Sequence, residues 1–159
     1  MHIVVREATD DDADLIAGLT RAAWAGKVAP TSSGHQETGG VVQEHLRDGG
    51  AFILLANDEA VGSVRWTPHD LDADVWEVRR MGVLPDRRGA NLSQHLLEAV
   101  IHQALENGAA ELRLAVRGDQ PKLLDFYAAF GFEVAEELDY PHANPGEPAP
   151  LVMRRVLRH

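Results

Sequence analysis

The sequence predicts an α/β fold in which a mixed, mostly antiparallel central sheet is flanked by helices, in the order β-α-α-β-β-β-α-β-α-β-β. Three observations carry this. Apolar residues alternate with polar ones at the start of the chain and again through its middle, the period of a strand. Between such runs apolar residues return every three or four positions, most clearly at Leu92, Leu96, Val100 and Ala104 beside Leu97, Ile101 and Leu105. Three strand-like runs at 51–56, 60–67 and 75–84 succeed one another closely and make an antiparallel meander.

In chain order, residues 2–8 alternate and are rich in β-branched side chains, and Thr9 and Asp10 offer an N-cap to a helix carrying Leu15, Ile16, Leu19, Ala22 and Ala23. A polar loop follows at 26–34, and a second helix is expected over about 36–47, weakened by Gly39-Gly40 and ended by Gly49-Gly50. Asn57-Asp58-Glu59 joins the first two strands of the meander as a short hairpin. The helix from Leu92 is closed by Asn107-Gly108. A strand at 111–117 leads to a helix begun by Asp119 and Pro121, with Leu123, Leu124, Tyr127 and Phe130 on successive turns and Gly131 as its stop. Strands at 132–138 and 151–157, separated by a proline-rich loop at 140–150, finish the chain.

Composition narrows the classes of function. The 159 residues carry 15 Lys and Arg against 25 Asp and Glu, a formal charge of −10, with no cysteine. One domain over 1–159 is expected from this length. The absence of cysteine excludes disulfide scaffolds, zinc ribbons and thiol nucleophiles, so a cytoplasmic location is the default expectation. Neither a signal peptide nor a membrane span is expected, and the acidic balance argues against nucleic acid. His95 and His102 stand too far apart on a helix to share a metal, and Asp70, Asp72 and Asp74 lack the Gly and closing Glu of a calcium loop. No metal site is expected. No Gly-x-Ser-x-Gly elbow supports Ser-His-Asp hydrolysis.

Four arginines, Arg79, Arg80, Arg87 and Arg88, nevertheless cluster within ten positions of this acidic chain. The segment 84–93 is small-residue and basic, and it feeds the strongest helix. Free N–H groups and the positive end of the helix dipole would make an anion site there, unless the segment is only a turn with solvated arginines.

With Arg88-Gly89-Ala90-Asn91-Leu92-Ser93 after Met81-Gly82-Val83-Leu84-Pro85, and with Tyr127-Ala128-Ala129-Phe130-Gly131-Phe132 further on, the whole chain resembles the GNAT superfamily of N-acetyltransferases. The resemblance implies that acetyl-coenzyme A is the co-substrate. Backbone groups of Met81, Gly82 and Val83 would then pair with its pantetheine, and Arg88, Gly89, Ala90, Asn91, Leu92 and Ser93 would hold its pyrophosphate. Asn91 and Ser93 stand where the family pattern has Gly and Gly or Ala; Asn tolerates the left-handed backbone and Ser is small. Tyr127 takes the place of the family's general acid for the leaving thiolate, the alternative being a core aromatic.

By strand periodicity Glu77, Arg79, Met81 and Val83 are expected on one face. Many members of the superfamily carry a glutamate on this strand, which makes Glu77 the candidate base, the alternative being an ion pair with Arg79. Residues 31–35 and the aromatics Trp24, Trp66, Trp76 and Tyr140, with His142, are candidates for the acceptor pocket, Trp66 and Tyr140 foremost, the alternatives being an ordinary polar loop and core aromatics. The expected reaction is acetyl transfer to a primary amine, a small molecule before a protein, by direct attack in a ternary complex. The alternative is a non-catalytic coenzyme A-binding or ligand-sensing module on the same fold. A homodimer would use the last strands or the 140–150 loop.

Overall fold

β-Branched residues extend Ile3–Glu7 into β1, which pairs antiparallel with β2 (Gly50–Ala56). The computed structural model describes residues 2–24, 37–87, 91–117, 120–138 and 149–158. Between β1 and β2 lie a 3₁₀ turn at Asp10–Asp12 and two helices, α1 (Ala13–Trp24) and α2 (Gly39–Asp48). The turn stands where a direct helix start was expected, because Asp12 is held by Arg6 of β1 at 2.8 and 2.9 Å and by the Thr9 N–H at 2.9 Å. α2 begins three residues later than expected, since Thr38 caps it by accepting from the Val41 N–H at 3.3 Å. The glycine pair then falls in the first turn rather than the interior.

β2, β3 (Glu59–His69) and β4 (Asp72–Val83) form the meander. The β2–β3 turn has positive φ at both Asn57 (49°) and Asp58 (67°), the twist that a two-residue hairpin needs. After β4 come α3 (Leu92–Glu106), β5 (Glu111–Val116), α4 (Pro121–Ala129), β6 (Glu133–Val134) and β7 (Leu151–Val156). The element order is the expected one. β6 is much shorter than the expected 132–138, because it shares only two rungs with β7 before the Leu138 N–H turns back onto the Ala135 carbonyl.

The strands lie in the order β1-β2-β3-β4-β5-β7-β6, all antiparallel except β4 and β5. α3 packs over the centre of one face, where Leu96, Leu97, Val100 and Ala104 meet Leu54, Val64, Leu112, Leu114 and Met153. α1 and α2 cover the other face over β2, β3 and β4, with Ile16, Leu19 and Val42 against Ala51 and Ile53. Burying a Leu or Ile side chain in such a layer contributes about 1.5–3 kcal/mol. Among the described residues no helix is long and apolar enough to cross a membrane.

Candidate active site

β4 and β5 share only three rungs, Val75 with Glu111, Trp76 with Leu112 and Glu77 with Arg113. Beyond Glu77, β4 runs on to Val83 and β5 to Val116, with no rung between them. The two strands part. Parallel strands that separate leave backbone N–H and C=O groups facing the gap, so an extended, amide-bearing ligand laid between them finds main-chain partners. Glu77 sits at the apex of this gap.

The upper part of β4 carries a bulge. Arg80 has φ of 55°, and the register with β3 steps from Arg65–Arg79 to Ser63–Gly82, three residues of β4 against two of β3. The extra residue inverts the alternation. Glu77 and Arg79 lie beside Thr67 and Arg65 on the α1–α2 face, while Met81 and Val83 join the core beneath α3. The expectation that Glu77, Arg79, Met81 and Val83 share one face is therefore corrected. Gly82 takes the α1–α2 face instead, and a Cβ there would lie 2.8 Å from Trp24 Cζ3, so a larger residue would have to displace the Trp24 ring.

Glu77 is buried, 8% exposed. Its Oε2 accepts from Arg79 Nη2 at 2.6 Å, and Arg79 Nε donates to Oγ1 of Thr67, the cross-strand partner of Glu77, at 2.8 Å. His69 Nε2 stands 3.8 Å from Glu77 Oε1, and His69 Nδ1 accepts from the Leu71 N–H at 3.1 Å. The ion pair weighed against the base reading is thus formed, and Glu77 stands at the apex of the gap all the same.

Tyr127 on α4 is 9% exposed and sits edge-on to Phe126 at 5.2 Å and Phe132 at 6.0 Å. Burial pushes its phenol up to about 12, so it stays protonated through the neutral range. Gly131, with φ of 86°, ends α4 and returns Phe132 beneath the tyrosine, its N–H donating to the Tyr127 carbonyl at 3.2 Å. Tyr127 is a core aromatic that also holds a proton in reserve.

At the start of α3, Asn91 adopts the left-handed conformation, φ 54° and ψ 31°, as the N-cap. Leu92 points into the core and Ser93 is half-buried. Arg88, Gly89 and Ala90, expected on the pyrophosphate, lie outside the described residues. So do residues 31–35, Tyr140 and His142 of the expected acceptor pocket. Trp66 is not a pocket wall: it is 4% exposed in the core, stacked on Trp76 at 5.8 Å and packed on Phe52 at 5.1 Å.

A buried polar cluster on the α1–α2 face of β3 stands outside the sequence expectations. Arg65, fully buried, forms an ion pair with Glu37 and places its Nη2 3.3 Å from Thr20 Oγ1 and its Nη1 3.2 Å from His45 Nδ1. Arg80 Nε of the bulge lies 3.7 Å from the same Glu37 carboxylate. Desolvation lowers the Arg65 pKa, and the Glu37 charge opposes that shift. An arginine between apolar neighbours in β3 was the available signal; its partners come from elements far away in sequence.

Comparison with known proteins agrees with this fold. Residues 18–132 match the sequence model of the acetyltransferase (GNAT) family. A mycothiol acetyltransferase of Kytococcus sedentarius is 30% identical over 131 residues, 76% of this chain and 44% of that protein. One from Propionibacterium freudenreichii is 30% identical over 148 residues, 86% of this chain and 45% of that protein. The chain spans less than half the length of these curated relatives. Among solved structures, the PaiA N-acetyltransferase of Thermoplasma acidophilum in complex with coenzyme A superposes with a TM-score of 0.78 at 17% identity, covering 98% of this chain and 99% of that one. The ribosomal-protein-S18-alanine N-acetyltransferase of Escherichia coli also gives 0.78, at 19% identity over 99% of this chain and 96% of that one. At such identities the likeness is one of fold, while the family match extends over most of the chain. The chain belongs to the acetyltransferase (GNAT) family.

Proposed function

We propose that the chain transfers an acetyl group from acetyl-coenzyme A to a primary amine, a small molecule before a protein, by direct attack within a ternary complex. The observation that carries this reading is the parting of β4 from β5 with a buried carboxylate at its apex. Family membership supports it, as does the coenzyme A bound to the PaiA relative of the same fold.

The residues present fit the co-substrate. The β5-facing edge of β4 at Met81, Gly82 and Val83 suits the pantetheine amides, and the α3 N-terminus, with the left-handed Asn91 as its cap and Leu92 and Ser93 in its first turn, suits the pyrophosphate. Acetyl-coenzyme A supplies an acyl group activated as a thioester. A β4 backbone N–H polarises its carbonyl as negative charge develops there. Glu77 accepts a proton from the acceptor's ammonium, directly or through water, which frees the amine lone pair to attack the thioester carbonyl, and Tyr127 gives its proton to the departing thiolate sulfur. Holding both reactants in one cleft contributes much of the rate. Without cysteine no acetyl-cysteine intermediate forms.

The test is calorimetric titration with acetyl-coenzyme A of the wild type and of a variant altered at Arg88, Gly89 and Asn91 together, followed by thiol release over an amine panel that includes amines related to mycothiol. Binding abolished in the variant, with thiol release above buffer for some amine, supports the reading. A second reading, a coenzyme A-binding module without catalysis, is favoured by the pairing of Glu77 with Arg79. Binding without thiol release for any amine would select it.

A further inference from the structure

One row of directly opposed residues crosses the sheet on the face that carries Glu77. Thr67 of β3 faces Glu77 of β4, Glu77 faces Arg113 of β5, Arg113 faces Arg154 of β7, and Arg154 faces Glu133 of β6. Opposed residues share a face, so all five line one side of the sheet. By strand spacing Arg113 stands about 5 Å and Arg154 about 10 Å across the sheet from the glutamate.

The two arginines are an unfavourable pair in themselves. Like charges directly opposite on neighbouring strands repel, and an isolated sheet avoids them. Each is only partly committed elsewhere. Arg113 uses Nε on Glu111 Oε2 at 2.5 Å, and Arg154 uses Nη1 on Glu137 Oε1 at 2.6 Å, a carboxylate whose side chain is 58% exposed. Arg154 Nε is buried with no hydrogen-bond partner. The side chains keep 22% and 30% of their exposure, so both are reachable from solvent. α1 and α2 cover this face over β2, β3 and β4, and the row continues past them along β5 and β7.

From this placement we infer that Arg113 and Arg154 form an anion-recognising pair, and that the acceptor is an amine that also carries a carboxylate or phosphate. The anionic group lies on the two guanidiniums and the amine at Glu77. The inference rests on the acetyltransferase reading above. Planar guanidinium forks match carboxylate and phosphate oxygens in pairs of hydrogen bonds, and an anion between the arginines removes their mutual repulsion. The chain's charge of −10 attracts the ammonium end of such a molecule, while the arginine pair selects its acidic end. A zwitterion satisfies both.

The experiment is a steady-state survey with acetyl-coenzyme A and matched acceptors: α- and ω-amino acids beside their carboxamides, and aminoalkyl phosphates beside the corresponding amino alcohols. The expected result is a preference of about tenfold or more in kcat/KM for the anionic member of at least one matched series. Which series shows it separates carboxylate from phosphate. Arg113→Gln and Arg154→Gln should each reduce that preference to about threefold or less, through KM of the anionic acceptor rather than kcat, and Arg113→Lys should retain part of it. Circular dichroism checks that each variant is folded, and Arg113 suffices if Arg154→Gln is not. Neutral members as good as the anionic ones, an unchanged preference in Arg113→Gln, or acetylation of neither member while acetyl-coenzyme A binds, overturns the assignment. Failure of the wild type to bind acetyl-coenzyme A overturns the acetyltransferase reading beneath it.

Discussion

Glu37 and Arg65 meet in the interior, the carboxylate 4% and the guanidinium 0% exposed, where the start of α2 lies over the middle of β3. Removing one partner of such a pair leaves an uncompensated buried charge, which costs about 3–5 kcal/mol. Glu37→Gln should therefore lower stability by that order in urea unfolding, with Arg80, 3.7 Å from the same carboxylate, losing its counter-ion too. Adding Arg65→Met to that variant should recover most of the loss, because the buried cation goes with it. A double variant no more stable than Glu37→Gln would mean that the pair contributes shape rather than charge balance.

Glu77→Gln should lower turnover by about 100-fold or more, most strongly at low pH, where the acceptor needs help to lose its proton. The measurement is kcat/KM against pH for wild type and variant with one acceptor. If the two profiles coincide, Glu77 is an ion-pair partner of Arg79 and nothing more.

Tyr127→Phe should reduce kcat with little change in acetyl-coenzyme A affinity. Its phenol gives a second, independent reading. Burial raises the folded pKa to about 12 from an unfolded value near 10, so the stabilisation is fully present below pH 10 and is lost as pH rises toward 12. Near-ultraviolet titration should show a late phenolate transition that disappears in Tyr127→Phe; a wild type whose two tyrosines both titrate like free phenol would contradict the burial.

Arg6 grips Asp12 with both terminal guanidinium nitrogens and holds its carboxyl well below the usual carboxylate range. A lowered folded pKa stabilises above the unfolded value near 4 and is lost as pH falls through and below it. Arg6 is 40% exposed, so solvent screening reduces the contribution to about 1 kcal/mol at neutral pH. Thermal melts should put Asp12→Asn below wild type at pH 7 and bring the two together in acid.

At the α3 cap, Asn91→Gly should leave stability within a few tenths of a kcal/mol, because glycine adopts φ near 54° freely. Asn91→Val should cost about 1–2 kcal/mol and weaken acetyl-coenzyme A binding. Calorimetry and melting of the two variants decide whether the left-handed turn matters to the loop.

How far the sequence was legible follows from the range of the forces involved. Element order and helix stops could be read because strand alternation, the α3 stripe and Gly131 are local signals. Asn91 could be read for the same reason, as its tolerance of a left-handed backbone is intrinsic. The faces of β4 could not, because the bulge at Arg80 is set by pairing with β3 and by Glu37, neither visible in a window around residue 80. Trp66 takes the core alternative, which its residue type alone could not decide, because an aromatic carries no mark of which face of its strand meets α3. The Glu77–Arg113–Arg154 row joins three strands through pairings of long sequence separation, and only the sheet assembles it.

Among the described residues, three rungs and one further backbone bond, from the Ala110 N–H to the Asp74 carbonyl at 2.7 Å, join β4 to β5, and in the strand order this is the junction between β1–β4 and β5–β7. The molecule is thus two leaves bound along a short spine, with α3 packed across both. β1, near the N-terminus, belongs to one leaf and β7, near the C-terminus, to the other. A pull on the chain ends is therefore carried from leaf to leaf by the rungs at Val75, Trp76 and Glu77 together with the α3 layer. A ligand that stitches the open margins together would add fasteners beyond those rungs and so raise the force that the junction of the two leaves withstands.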